Sequence, residues 1–174
     1  LAGALIERLE LTSQFRCGGS DDYMAWLDET LGVHADTANY FSLDKFDFQI
    51  FDSPVELHKT IKEKNKINNK SRVVAGYCWD WISQKRPDLK DITIDEFGYK
   101  ATWNLTSDGS EWIISPKSVE EVGCIHTCQG LEVDYVGVIV GRDLVAIDGV
   151  LKTDPSARAK TDASLKGYKK ELKE

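Results

Sequence analysis

Apolar and polar positions change period several times along the chain, and each change predicts an element. Leu1, Leu5 and Leu9 recur at helical spacing, after which Leu9, Leu11 and Ser13 alternate with Glu10 and Thr12 as in a short strand. The break Arg16-Cys17-Gly18-Gly19-Ser20 follows. Ser20 can cap a helix with Asp21 and Asp22 in its first turn, a buried stripe of Met24, Leu27 and Leu31, and Gly32 as its stop. After a loop to Asp44, Phe46, Phe48 and Ile50 alternate with Asp47 and Gln49, which predicts a half-exposed strand. Ser53-Pro54-Val55-Glu56 then reads as an N-cap, a proline at the first helical position and a capping box. The run from Val73 to Cys78 is a buried strand.

The stretch from Asp80 to Ile114 breaks this strand-helix rhythm and reads as a β-hairpin insertion. Its turn would be Thr106-Ser107-Asp108-Gly109-Ser110, with Trp103 and Trp112 paired across it. Those aromatics could stack bases or pack onto the domain. A strand is predicted at Glu120–His126, then a polar connection, then the apolar run Tyr135–Gly141, which has the composition of a parallel strand covered on both faces. Ile147-Asp148-Gly149-Val150 is a turn between short strands, and Thr153–Lys160 is loop. Strands alternating with helices predict an α/β layer fold with a mainly parallel sheet.

With 174 residues and 41% hydrophobic content the chain can bury a sizeable core, and no apolar run reaches the ~18 residues of a membrane span. With no secretion signal in view, a soluble cytoplasmic protein with reduced cysteines is expected, and the Asn104-Leu105-Thr106 sequon is read as chance. The net charge of −7 argues against a surface coated for nucleic acid. Locally the balance reverses. Lys59, Lys62, Lys64, Lys66, Lys70 and Arg72 face only Glu63 between positions 59 and 72, either a solvated helix face or a phosphate-facing patch. The start on Leu1 and the charged run at the end suggest a piece of a longer protein.

Several chemical readings compete. Cys124, His126 and Cys128 would share one face of a strand and could hold a metal, but a fourth ligand at sensible spacing is missing. His126 and Cys128 as base and nucleophile would not converge from one strand. Ile92-Thr93-Ile94-Asp95-Glu96 has the look of a Mg²⁺-holding strand end, yet no glycine-rich phosphate loop accompanies it, and a loop entering the hairpin is the plainer reading. Neither a catalytic residue nor a metal site is assigned. His126-Thr127-Cys128-Gln129-Gly130-Leu131-Glu132-Val133-Asp134 is different, because it directly follows a strand, where open α/β sheets bind ligands. Its hydroxyl, amides and carboxylate suit phosphate oxygens and sugar hydroxyls. The alternative is a short capped helix with Thr127 as N-cap and Leu131 and Val133 in the core.

Cys124-Ile125-His126-Thr127-Cys128-Gln129-Gly130-Leu131-Glu132-Val133-Asp134-Tyr135-Val136, with the apolar strand after it, resembles motif V of superfamily 1 helicases. Leu9–Leu27 resembles motif IV, a strand ending in a polar residue, an aromatic and an arginine. Together with Arg72–Trp81 between them and Gly141-Arg142-Asp143-Leu144 after, the chain is similar over about Leu9–Leu144 to Schlafen-group helicase-like domains of bacterial ATPases.

That resemblance implies a RecA-like, P-loop NTPase-type three-layer fold with a mainly parallel sheet over residues 1–151, the hairpin inserted at about 80–114, and a charged tail at 152–174 leading onward. It implies the second of two such domains, closing with an upstream one over ATP and Mg²⁺. Arg16, with Gln14 beside it, would reach the nucleotide's phosphates. His126, Thr127, Gln129, Gly130 and Glu132 would touch single-stranded DNA or RNA or couple it to the nucleotide, Asp134 would support the loop, and Lys59, Lys62, Lys64 and Lys66 would supply a phosphate patch. The phosphate-loop lysine, the Mg²⁺ acids and the arginine-finger motif are lacking, so no hydrolysis and no cofactor are expected of this piece alone. A nucleotide-dependent switch or scaffold for a protein partner is the alternative function.

Overall fold

Ser53 does cap a helix. Its hydroxyl accepts from the Val55 amide at 3.2 Å, Pro54 takes the first helical position, and Asn69 closes the far end in the left-handed conformation with φ 60°. This helix, Pro54–Asn68, belongs to a computed structural model that describes residues 21–33, 46–104, 109–128, 132–165 and 167. The chain divides into two compact units, Leu1–Gln49 and Ile50–Glu174.

In the first unit α1, Asp21–Leu31, ends at Gly32 with φ 66°, a left-handed conformation that glycine adopts without strain. The expected stripe is not its packing face, since Met24 and Leu31 are exposed. Its aromatic side packs instead, with Tyr23 stacked on Phe46 at 4.1 Å and Trp26 edge-on to Phe48 at 4.7 Å. Those partners are not strand residues: positions 46–51 have no ladder, because no partner strand among the described residues takes up their hydrogen bonds. The Ser20 cap and the segment before it lie outside the described residues.

The second unit is built on α2 (Pro54–Asn68) and a three-stranded parallel sheet. Its strands are β1 (Ser71–Ala75), β4 (Val122–Gly123) and β5 (Tyr135–Ile139), in the order β4-β1-β5. Val73 lies opposite Val122 and Gly137, and Val74 opposite Gly123 and Val138. The α/β class and the parallel sheet are as the alternation predicts. α2 covers one face through Leu57 and Ile61, so closely that a Cβ on Gly137 would meet Ile61 Cγ1 at 2.8 Å. On the other face Val136, Val138 and Val140 are exposed.

Two antiparallel hairpins flank the sheet. β6 (Leu144–Ile147) and β7 (Val150–Thr153) meet at Asp148-Gly149, both with positive φ, the two-residue primed turn that the Asp-Gly pair predicts. The insertion also contains a hairpin, but between other segments than expected, and residues 106–108 of the expected turn lie outside the described residues. β2 (Ile92–Ile94) pairs with β3 (Tyr99–Ala101) around Asp95–Gly98. Trp103 instead makes a parallel bridge to Val122, and Trp112 is packed near Gly123; both are fully buried and do not pair across a turn. Burial decided this: two indoles gain more in the core than in a solvent-facing hairpin.

His58 ties α2 to this insertion. Its Nε2 lies 2.7 Å from the Val119 carbonyl and therefore donates, which leaves Nδ1 to accept from the Tyr99 hydroxyl at 2.8 Å. Burial, against the opposing carbonyl bond, holds the imidazole below its ordinary value of 6.5. The unfolded chain therefore takes up the proton first as pH falls, so this stabilisation is complete above pH 6.5 and declines below it. Urea titrations between about pH 7 and pH 5 should show wild type losing more stability than His58→Gln. Equal losses would remove His58 as the cause.

Candidate functional site at the carboxyl edge of the sheet

Because β4, β1 and β5 run parallel, their carboxyl ends line one edge, where α/β sheets place ligands. Three connections start there: residues 124–128 after β4, Gly76–Asp80 after β1 and Gly141–Asp143 after β5.

The connection after β4 is the stretch singled out in the sequence. It returns past β1 to start a strand parallel to β4, so it is a crossover rather than a hairpin turn. Its first part is α3, Ile125–Cys128, with the Thr127 and Cys128 amides bonded to the Cys124 carbonyl at 3.0 and 3.2 Å. The expected strand at 120–126 is therefore only Val122–Gly123, and Thr127 lies inside a helical turn, not at its N-cap. A helix also removes the shared strand face on which a Cys124-His126-Cys128 metal site depended; among the described residues no group of three or more ligating side chains could hold a metal. Gly123 makes the turn possible, because a Cβ there would stand 2.6 Å from both Cys128 Sγ and Trp112 Cη2.

Thr127 is half-buried, its hydroxyl 3.3 Å from Cys124 Sγ. Glu132 is exposed on the returning arm of the connection, before β5 begins. Asp134 fixes the end of that return: its carboxylate accepts from the Asn68 amide at 2.5 Å and its own amide donates to the Lys70 carbonyl at 2.8 Å. Gln129 and Gly130 lie outside the described residues, as do Gln14 and Arg16 and the side chain of His126. Burial pushes the Cys128 thiol up to about 11, with Cys124 adding to it, so it is not a thiolate nucleophile at neutral pH.

The lysines of α2 do not form one free patch. Lys62 pairs with Glu120 at 2.5 Å, Lys66 with Glu63 at 2.7 Å, and Lys64 lies 4.3 Å over the Tyr135 ring. Lys59 is exposed beside Glu56 and Glu63. A phosphate there would have to displace carboxylates. Asp95 and Glu96 occupy the exposed turn between β2 and β3, not the end of a parallel strand.

The carboxyl edge also holds residues that sequence reading passed over. Ion pairs join Asp143, Arg158 and Asp162, and hydrogen bonds join Tyr77, Thr161 and Asp80, with Cys78 packed beside Gly141. Their signal was position, since Tyr77–Asp80 and Gly141–Asp143 each follow a parallel strand directly. Close packing marks the spot: a Cβ on Gly141 would come within 2.3 Å of Cys78 Sγ. Gly141→Ala should therefore cost about 1–3 kcal/mol in urea unfolding, and Cys78→Ala added to it should recover part of that loss. Additive losses would refute the contact as cause.

The Schlafen group 3 DNA/RNA helicase domain model matches residues 3–174. The chain belongs to that family. This Schlafen-group helicase-like domain is also 26% identical over 150 residues to the uncharacterized protein YPL245W of Saccharomyces cerevisiae, covering 77% of the chain and 32% of that protein. The domain thus spans about a third of the length of this relative. No solved structure matches it. No helix among the described residues is long and apolar enough to cross a membrane.

Proposed function

We propose that the domain is the second RecA-like half of an ATP-dependent motor of the superfamily 1 type that acts on single-stranded DNA or RNA in the cytoplasm. The observation that carries this reading is the crossover at 124–134: in a helicase family, a polar connection leaves the carboxyl end of one parallel strand with Thr127 and returns past Glu132 to the amino end of the next. In this reading His126, Thr127, Gln129 and Gly130 hold the strand's backbone, and Glu132 takes a ribose hydroxyl or couples the strand to the nucleotide. Arg16, with Gln14 beside it, grips phosphate with a planar guanidinium fork. The upstream RecA-like domain would contribute the phosphate loop and the carboxylates for Mg²⁺. ATP closes the cleft and hydrolysis reopens it, moving the strand.

The test is ATP hydrolysis by the full-length parent with and without single-stranded DNA or RNA. Glu132→Ala should lower the polymer-stimulated rate about tenfold or more while sparing the basal rate, and Arg16→Ala should lower both. A basal rate indifferent to either polymer would instead support a nucleotide-dependent switch that binds a protein. The pairing of Lys62 and Lys66 with glutamates, together with the net charge of −7, is what favours that second reading.

A further inference from the structure

The carboxylate of Asp143 rests in space left by two glycines at adjacent strand ends. A Cβ on Gly76 would lie 3.5 Å from Asp143 Oδ1, and one on Gly141 would lie 3.1 Å from it. The same Gly141 Cβ would also meet the Cys78 thiol, which places that thiol beside the carboxylate, and Arg158 Nη1 stands 3.3 Å from its other oxygen. Arg158 is anchored on its opposite side, where Nε donates to Asp162 Oδ2 at 2.7 Å. Burial pushes the Asp162 carboxyl up, but bonds from Ser164 and Arg158 outweigh it and hold that group ionised below its ordinary range.

These contacts fasten a strap, Asp154–Leu165, across the ends of β1 and β5. The Asp154 amide donates to the Asp143 carbonyl at 2.8 Å and the Ala159 amide to the Tyr77 carbonyl at 2.9 Å. Thr161 donates to Asp80 through its amide at 3.2 Å and its hydroxyl at 3.1 Å. Of the two ion pairs that hold Arg158, the one to Asp143 is the looser. Charge-assisted N–H···O bonds are strongest at about 2.7–2.9 Å, a distance met by Asp162 and not by Asp143.

We propose that Gly76, Gly141, Cys78 and Arg158 form an anion subsite occupied at rest by the protein's own Asp143, and that a phosphoryl group of bound nucleotide replaces this carboxylate and releases the strap. The inference rests on the nucleotide reading above and names a regulation of that same edge. A phosphoryl group offers Arg158 two acceptor oxygens and more charge than the single carboxylate oxygen it now meets, while the Asp162 bond keeps the guanidinium in place for the exchange. Asp143 is thus an internal competitor, and the strap reports its displacement.

The probe is inorganic tripolyphosphate, added to the full-length parent at matched ionic strength. Its binding is read by calorimetry, and hydrogen exchange is followed in residues 154–165. Saturating tripolyphosphate should speed strap exchange about tenfold in wild type. Asp143→Asn, which keeps the shape, should exchange fast without the anion and bind it at least fivefold more tightly; Arg158→Lys should bind it at least fivefold more weakly. If ATP binds but strap exchange does not respond, or if Asp143→Asn binds tripolyphosphate no more tightly, the subsite is wrong and the nucleotide reading stands. If neither ATP nor tripolyphosphate binds, both fall.

Discussion

Replacing Arg72 by alanine is expected to cost about 3–5 kcal/mol, a large share of the about 5–15 kcal/mol that holds an ordinary domain folded. The residue is 1% exposed and, among the described residues, meets no carboxylate. Nη1 donates to Asn65 Oδ1 at 2.7 Å and to the carbonyls of Ser71 and Asn69 at 2.8 and 3.2 Å. Nη2 donates to Asn69 Oδ1 at 3.2 Å and to the carbonyls of Ile113 and Ser115 at 2.5 and 3.0 Å. The charge is compensated by oxygens at the negative end of α2 and in the turn at 113–115, which explains how a buried cation persists while burial lowers its pKa. Removing it strands carbonyl groups on three segments at once. Arg72→Lys keeps the charge but cannot reach both sides with one ammonium, so it should recover less than half of the loss. The guanidinium also lies 5.9 Å from the Trp112 ring, which packs over Gly123 at the root of α3. Arg72→Ala should therefore weaken any polymer-stimulated activity although it touches neither Thr127 nor Glu132. Chemical denaturation monitored with polymer binding checks both parts; a loss under about 1 kcal/mol would show the hub to be dispensable.

Local rules made the second unit legible where they pointed to one answer. Ser53-Pro54 starts a helix, Asp148-Gly149 permits a two-residue hairpin turn, and the apolar runs from Val73 and from Tyr135 give parallel strands, although the expected cover on both faces is found on one only, Val136 and Val138 being exposed. The candidate connection was visible because its polar residues directly follow a strand, where open α/β sheets bind ligands. What escaped depended on distant partners. The strand expected up to His126 became helix because Gly123 lets Trp112 and Cys128 press against its backbone, a contact between residues that no period connects. The basic block of α2 looked like a patch because Glu120, the partner of Lys62, is 58 residues further along. Arg158 and Asp143 looked like ordinary loop charges for the same reason, since only the return of the strap over β1 and β5 brings them together.

Trp103→Ala is the second large effect, about 3–5 kcal/mol, and it separates a core indole from a base-stacking one. The residue has no exposed surface. Its amide donates to Asp91 Oδ2 at 2.8 Å and its Nε1 to the Trp79 carbonyl at 3.1 Å, while Tyr77 and Trp81 pack at 5.5 and 6.5 Å between ring centroids. Asp91 also accepts from the Ile82 and Ser83 amides at 2.8 and 2.7 Å, so one carboxylate gathers three points of the insertion, while Trp103 joins it to Trp79 and to Val122 of the sheet. Trp103→Phe should keep most of the packing yet leave the Trp79 carbonyl without its donor, costing about 1–3 kcal/mol. An aromatic that stacks on bases would behave the other way: alanine would spare stability and lower nucleic-acid affinity by about 1–3 kcal/mol per base. Denaturation midpoints and polymer affinity measured on the same variant therefore give opposite patterns for the two roles. Burial and the double anchoring of Trp103 commit the expectation to loss of stability, with the affinity of the fraction that stays folded unchanged.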